Sequence, residues 1–320
     1  GCVARPRTIG VSERGTELVA ERVALRLAEC VAIGVATSVT ECVSERLAEP
    51  FAARVTFVTE RFAQCGAECP RESLGVISAS RGAMAGCVTL LKADGSTSSL
   101  EQSVYTVPGD PDEVAALRFQ APCRAQHIIV VEKDTVFNRL VDDGFVHHLP
   151  CVLVTGRGFP DVATRALVHR LVEQLKLPCW ALTDWNPHGV ALMLTYRVGS
   201  VNFGLQRYLC PELTWLGLSS ADVDRAQDQH SGNWLQDSFQ PFTDRDTAVL
   251  KGLLTRSVVE RDGSPVDELN EMQKRRQKLE IEALYSRGPD FITRFLRDSI
   301  RDHVRAAHQS TCPCPRASSD

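Results

Sequence analysis

Tyrosine is scarce in this 320-residue sequence: there are four, and none precedes Tyr105. The four tryptophans and four tyrosines form no stripe on which bases could stack. Long apolar runs are missing too. The run Cys30–Val39 is ten residues, interior, and bounded by Glu29 and Glu41. It is too short to span a bilayer and lacks the layout of a signal peptide, so the expectation is an intracellular protein without a membrane partner. There is no dinucleotide fingerprint, because Gly156-Arg157-Gly158 would need glycine at position 161, where Asp161 stands. Twelve cysteines occur but no C-x-x-C pair; Cys65-x3-Cys69 and Cys312-x-Cys314 lack partners at finger spacing. Free thiols in a reducing compartment are the simpler reading.

What is present is ordinary in bulk and specific in detail. Apolar residues make up 43% and charged residues 24%, as in soluble globular proteins. The net charge of −4 argues against a generally basic coat for nucleic acid but leaves room for a local basic groove. The length favours two domains.

Three short β-rich runs, His127–Val131, Val152–Thr155 and Cys179–Thr183, are separated by helical patterns. Strands alternating with helices imply an α/β fold with a parallel sheet, and right-handed crossovers put all the strand ends on one edge. The ligand crevice of such a sheet lies outside the carboxyl ends of its strands. That reasoning gathers Glu132, Asp184, Asn186 and the Gly156–Gly158 turn at one site. Glu132, Asp184 and Asn186 are oxygen donors suited to Mg²⁺, which takes one or two carboxylates plus water and substrate phosphates. Residues 184 and 186 can both face the crevice because i and i+2 point the same way. Alone, Asp184-x-Asn186 before Pro187 is better read as an Asx-type turn, and Glu132 on an adjacent strand end tips the reading to a metal. The glycine turn, with Arg157, can receive an anion or simply turn the chain.

Along the chain, Val19–Leu27 and Pro50–Phe62 suit amphipathic helices. Ser73–Ser78, Cys87–Leu91 and Val104–Val107 read as strands around a Gly/Ala-rich Ala79–Gly86. A helix Asp112–Phe119 capped by Asp112 follows. Small strands and helices in this order suit a winged-helix-like module. Asp134 is expected to cap a helix through Val141, and Pro160 to sit just inside the next helix, where Leu167, Leu171 and Leu175 form an apolar stripe. Val266–Tyr285 reads as one long charged helix carrying Lys274–Lys278, and Phe291–Ala307 as the last helix. Thr311–Asp320 has the composition of a disordered tail.

The ordered motifs Val131-Glu132-Lys133-Asp134, Val154-Thr155-Gly156-Arg157-Gly158-Phe159-Pro160-Asp161-Val162-Ala163-Thr164-Arg165 and Thr183-Asp184-Trp185-Asn186-Pro187-His188-Gly189 resemble the A subunit of type IIB DNA topoisomerase VI. They also resemble its eukaryotic relative, the meiotic double-strand-break protein. The likeness continues through Leu194–Ser200 and Trp215–Leu218, and upstream at Arg71–Gly75, Ser80–Gly82 and Ala85-Gly86.

The resemblance implies a Toprim domain over 124–300 and a winged-helix (CAP-like) remnant over 70–123. A helical arm then occupies 1–69 and a disordered tail 301–320. It implies Mg²⁺ on Glu132, Asp184 and the position of Asn186, where many members carry Asp. It further implies double-stranded DNA as partner, with Arg157, Arg165 and Arg81 as candidate phosphate contacts. Nuclear localisation and a homodimer or a heterodimer with a paralogue follow, and a further implied partner is a topoisomerase VI B-like protein. The family's cleaving tyrosine sits upstream of the stretch matching Glu72–Gly86, where this sequence has none, and Tyr105 lies on the wrong side of it. Two other readings therefore stand beside meiotic strand cleavage by tyrosine transesterification. One is a non-catalytic DNA-binding form. The other is a metabolic α/β enzyme acting on a small phosphorylated substrate.

Overall fold

The computed structural model of the chain describes residues 79–91, 95–120, 123–199, 207–222, 224, 238–255, 264–288 and 290–311. The expected helices Val19–Leu27 and Pro50–Phe62, the strand Ser73–Ser78 and the tail after Thr311 lie outside the described residues.

The strands are β1 (Ala83–Gly86), β2 (Thr89–Leu91), β3 (Thr97–Ser99), β4 (Tyr105–Thr106), β5 (Arg118–Phe119), β6 (His127–Val131), β7 (Cys151–Thr155), β8 (Cys179–Leu182), β9 (Thr214–Gly217), β10 (Gln240–Pro241) and β11 (Gln277–Lys278). The helices are α1 (Pro111–Ala115), α2 (Asp134–Asp142), α3 (Phe145–His148), α4 (Val162–Leu175), α5 (Pro187–Val198), α6 (Asp244–Leu254), α7 (Ser264–Arg275) and α8 (Phe291–Thr311), with a 3₁₀ helix at Ile281–Arg287. Among these residues no helix is long and apolar enough to cross a membrane.

Six strands form the main sheet in the order β4-β1-β7-β6-β8-β9. β7, β6, β8 and β9 are parallel, and β1 and β4 join antiparallel at one edge. Every residue of β7 and β8 is buried, as are Ile128–Val131 of β6. Strands covered on both faces read as unbroken apolar runs, which is why these three were legible. From β6 the chain steps to β7 on one side, then crosses back to β8 on the other. With right-handed crossovers, α2 and α4 must lie on opposite faces, and α5, continuing in the direction of α4, shares its face. The connections leaving β6 and β8 therefore diverge, and a crevice opens between two neighbouring strands at the switch point.

The stretch expected to be a winged-helix-like remnant is distributed differently. β1 pairs with β7, from Ala83 opposite Thr155 to Gly86 opposite Val152, so the described part of 70–123 is built into the parallel sheet across the boundary expected at 124. β2, β3 and β5 form a separate three-stranded sheet. Ala83-Met84-Ala85-Gly86 has little intrinsic strand preference, and burial between β4 and β7 overrides it. A side chain at Gly86 would meet the Cys151 carbonyl oxygen at 2.3 Å.

Smaller differences concern caps and ends. Asp110, not Asp112, caps α1. Asp161 caps α4 by accepting from the Thr164 amide at 2.7 Å, which leaves Pro160 outside that helix. The long helix expected over 266–285 stops at Arg275. Arg276 turns left-handed, β11 pairs with β10, and Leu279 bridges to Trp185. Within Lys274–Lys278, Arg275 pairs with Asp224 and Glu271, and Lys278 with Asp246 at 2.9 Å. At the other end, 301–311 is helical as the continuation of α8, not part of a disordered tail.

Candidate metal centre

The register fixes the site. Val131 lies opposite Leu182, so Glu132 and Asp184 leave adjacent strands at the same edge of the sheet. The Asp184 amide donates to Glu132 Oε2 at 2.9 Å. Asp184 Oδ1 accepts from the Ile281 amide at 2.9 Å, and its Oδ2 lies 3.4 Å from Lys133 Nζ. Lys133 also donates to Glu280 at 3.0 Å and to Glu282. Burial raises the Glu132 carboxyl to about 7, and the neighbouring Asp184 charge pushes the same way. Burial likewise raises Asp184 to about 6, against the lowering pull of the Ile281 amide and Lys133. Lys133, despite burial, is held above its usual range by Glu282, Asp184 and Glu280.

Two carboxylates that converge and resist ionisation form a place that favours a cation. Among the described residues no three His, Cys, Asp or Glu side chains group at metal-ligating spacing. Mg²⁺ does not need them: two carboxylates suffice, with water and phosphate completing the octahedron. Glu132 and Asp184 fit that requirement.

Asn186 beside them serves the backbone. Its Oδ1 accepts from the Gly189 amide at 2.7 Å and so caps α5, while its amide nitrogen faces Asp184 Oδ2 at 3.5 Å. Rotating the carboxamide would set its NH₂ against the Gly189 N–H, so the cap fixes the orientation. The residue read as a ligand from the D-x-N spacing thus caps a helix that has Pro187 at its first position, and its Oδ1 keeps a second lone pair.

The three arginines separate. Arg81 is exposed, two residues before Ala83, whose partner is Thr155, and so stands at the same edge as the glycine turn. Arg157, left-handed in that turn, pairs with Asp134 at 3.1 Å and is 42% exposed. Arg165 is only 3% exposed, and a phosphate cannot reach a guanidinium so enclosed; the contact expected of it is corrected accordingly. The turn is also less open to an anion than its glycines suggest. The Arg157 amide donates to Thr155 Oγ1 at 3.1 Å and the Gly158 amide to the Glu132 carbonyl at 2.9 Å.

Sequence reasoning missed Glu280, Glu282 and the Ile281 amide, which reach the site through the Trp185–Leu279 bridge, and gave Lys133 no role although it adjoins Glu132. It also passed over Phe159, 47% exposed beside Arg157.

A largely parallel sheet with a glutamate and an aspartate at its switch point defines a Toprim-type protein. The chain belongs to the family of Spo11 and the A subunit of topoisomerase 6, whose Toprim domain matches residues 127–300. It is 37% identical over 238 residues to the meiotic recombination protein SPO11-2 of Oryza sativa subsp. indica, covering 72% of this chain and 58% of that one. To mouse meiotic recombination protein SPO11 it is 32% identical over 241 residues, covering 74% and 59%. To the A subunit of DNA topoisomerase 6 from Arabidopsis thaliana it is 32% identical over 235 residues, covering 72% and 52%. The chain thus spans somewhat more than half the length of these relatives.

Proposed function

We propose that this chain is the Mg²⁺-binding, DNA-binding part of a protein that makes double-strand breaks in meiotic recombination, acting in the nucleus. The observation that carries the reading is the convergence of Glu132 and Asp184 at the switch point. When bound, Mg²⁺ would orient a phosphodiester and stabilise charge on its oxygens during transfer. The residues' own work is to hold that ion at one edge of the sheet. Arg81 and Arg157 lie there to meet the backbone, and the exposed Phe159 ring offers an apolar contact to sugar or base. The strand-breaking step of the reading is transesterification by a tyrosine, leaving a phosphotyrosyl link, as in a type IIB topoisomerase. No tyrosine of this chain is assigned to it. A dimer, of like chains or with a paralogue, and a topoisomerase VI B-like partner belong to the same proposal.

The test is binding of a labelled duplex followed against salt. Phosphate contacts release counterions, so affinity falls linearly with salt on a logarithmic scale. Arg81→Gln and Arg157→Gln are each expected to shallow that slope by about one, uniformly across sequences. Salt-independent binding, or none, overturns the DNA reading and leaves the small phosphorylated substrate as the better candidate.

Acidity gives a second test. Mg²⁺ displaces protons from its ligands, and Glu132 and Asp184 hold theirs to about 7 and about 6. Raised carboxyls mean that the native state binds more protons than the unfolded chain between the ordinary carboxylate range and pH 7. Their contribution to metal-free stability is thus full below that range and is lost as pH rises through 6 to 7. Mg²⁺ affinity runs the other way and is expected to rise about tenfold from pH 6 to pH 8. Titration calorimetry at the two values checks it, and a flat profile removes these carboxylates from the ligand set.

A further inference from the structure

Lys133 follows Glu132 directly, yet its ammonium turns back over the site, with its side chain only 22% exposed. It stands beside Asp184 Oδ2, which the Asn186 amide nitrogen also faces at 3.5 Å. Oδ1 is committed to the Ile281 amide, and Oδ2 is the oxygen 3.4 Å from Nζ. A divalent cation that takes Asp184 through Oδ2 meets a positive charge already there. The ammonium is not held by Asp184 alone, because Glu280 accepts from it at 3.0 Å and Glu282 accepts from it as well. Glu282 is itself fixed by the Thr135 hydroxyl at 3.1 Å.

We propose that Lys133 is a positioning residue that occupies Asp184 Oδ2 when no metal is bound and yields it to the divalent cation, remaining tethered to Glu280 and Glu282. The inference rests on the Mg²⁺ reading above. A mobile lysine would leave for solvent. This one has two further carboxylates on the 280–282 segment to receive it, so the exchange costs a shift in place of an expulsion. The tethered charge then sets Mg²⁺ affinity by competition. Repulsion between charges this close falls steeply with distance, so a shift of an ångström or two in the ammonium alters affinity measurably.

The experiment uses the full chain at pH 8, with Mg²⁺ alone as probe, read by titration calorimetry and by the rise of Tm with Mg²⁺. Lys133→Met is expected to bind Mg²⁺ about tenfold more tightly than the parent, since the competitor is gone. Lys133→Arg, which keeps the charge, is expected to fall between the two. Glu282→Gln releases the ammonium from one tether and lets it settle on Asp184, and is expected to bind more weakly. Charge alone would leave Lys133→Arg at the parent affinity, so its intermediate value is what a simple field effect does not give. If Lys133→Met fails to fold, Lys133→Arg still decides, and parent affinity there overturns the inference. If the parent binds Mg²⁺ and Lys133→Met binds equally or less well, the inference falls while the metal site stands. If the parent binds none, both fall.

Discussion

Glu132→Gln is expected to make the metal-free protein more stable at pH 7.5 and, in the same molecule, to abolish its response to Mg²⁺. Glu132 is buried beside Asp184 and held at about 7, far above its ordinary range. Keeping it ionised at pH 7.5 costs the native state an amount on the order of 2 kcal/mol. A glutamine is neutral, has the same shape, and still offers an oxygen to the Asp184 amide at 2.9 Å. The fold therefore loses a burden and keeps a bond. The site loses half of its carboxylate pair. In the parent, Mg²⁺ at 100 times its Kd should add about 2.7 kcal/mol. For a unit of this size that is a rise of several degrees, at about 2–4 °C per kcal/mol. Scanning calorimetry with and without Mg²⁺ measures both effects. A variant that still gains stability from Mg²⁺ would remove Glu132 from the site.

Gly189→Ala is expected to do the reverse, damaging fold and site together. A Cβ at 189 would lie 2.4 Å from the Asp184 carbonyl oxygen and 3.0 Å from Thr183 Oγ1. A backbone oxygen cannot swing aside as a side chain does, so either the first turn of α5 or Asp184 must move. Either movement also strains the Asn186 cap, whose donor is the Gly189 amide. Overpacking of this kind costs about 3 kcal/mol. The urea midpoint should fall and Mg²⁺ affinity with it. Gly252, exposed in α6 with nothing within 4 Å of its added Cβ, is the control. There alanine should be neutral or stabilising by up to about 1 kcal/mol. A wild-type midpoint for Gly189→Ala would mean that the approach at Asp184 is not tight.

The centre of the fold was legible because parallel strands buried on both faces leave unbroken apolar runs that end in polar residues. From those ends alone, Glu132 and Asp184 could be placed on one edge, and the register of β6 against β8 agrees. β1 was not legible: alanine and glycine carry no strand signal, and its place comes from partners about seventy residues away. Asn186 was half legible. Its spacing suggests a ligand, whereas the helix cap shows only in the Gly189 amide 2.7 Å from its Oδ1. Arg165 was misplaced because charge in a sequence says nothing of depth. Glu280 and Glu282 were invisible for a different reason. They fall in a run whose pattern is helical, and the bridge from Leu279 to Trp185 breaks that helix. No local pattern announces a contact with a residue 97 positions back.

That bridge also decides where the working unit stops. Counted by strands, the main sheet is complete at Gly217. Counted by what steadies Asp184, it runs on to Ile281 and Glu282, past α6 and α7. A fragment trimmed after the last strand of that sheet would keep every ladder hydrogen bond yet leave one carboxylate adrift, without the amide that aims it or the acids that hold its neighbouring lysine.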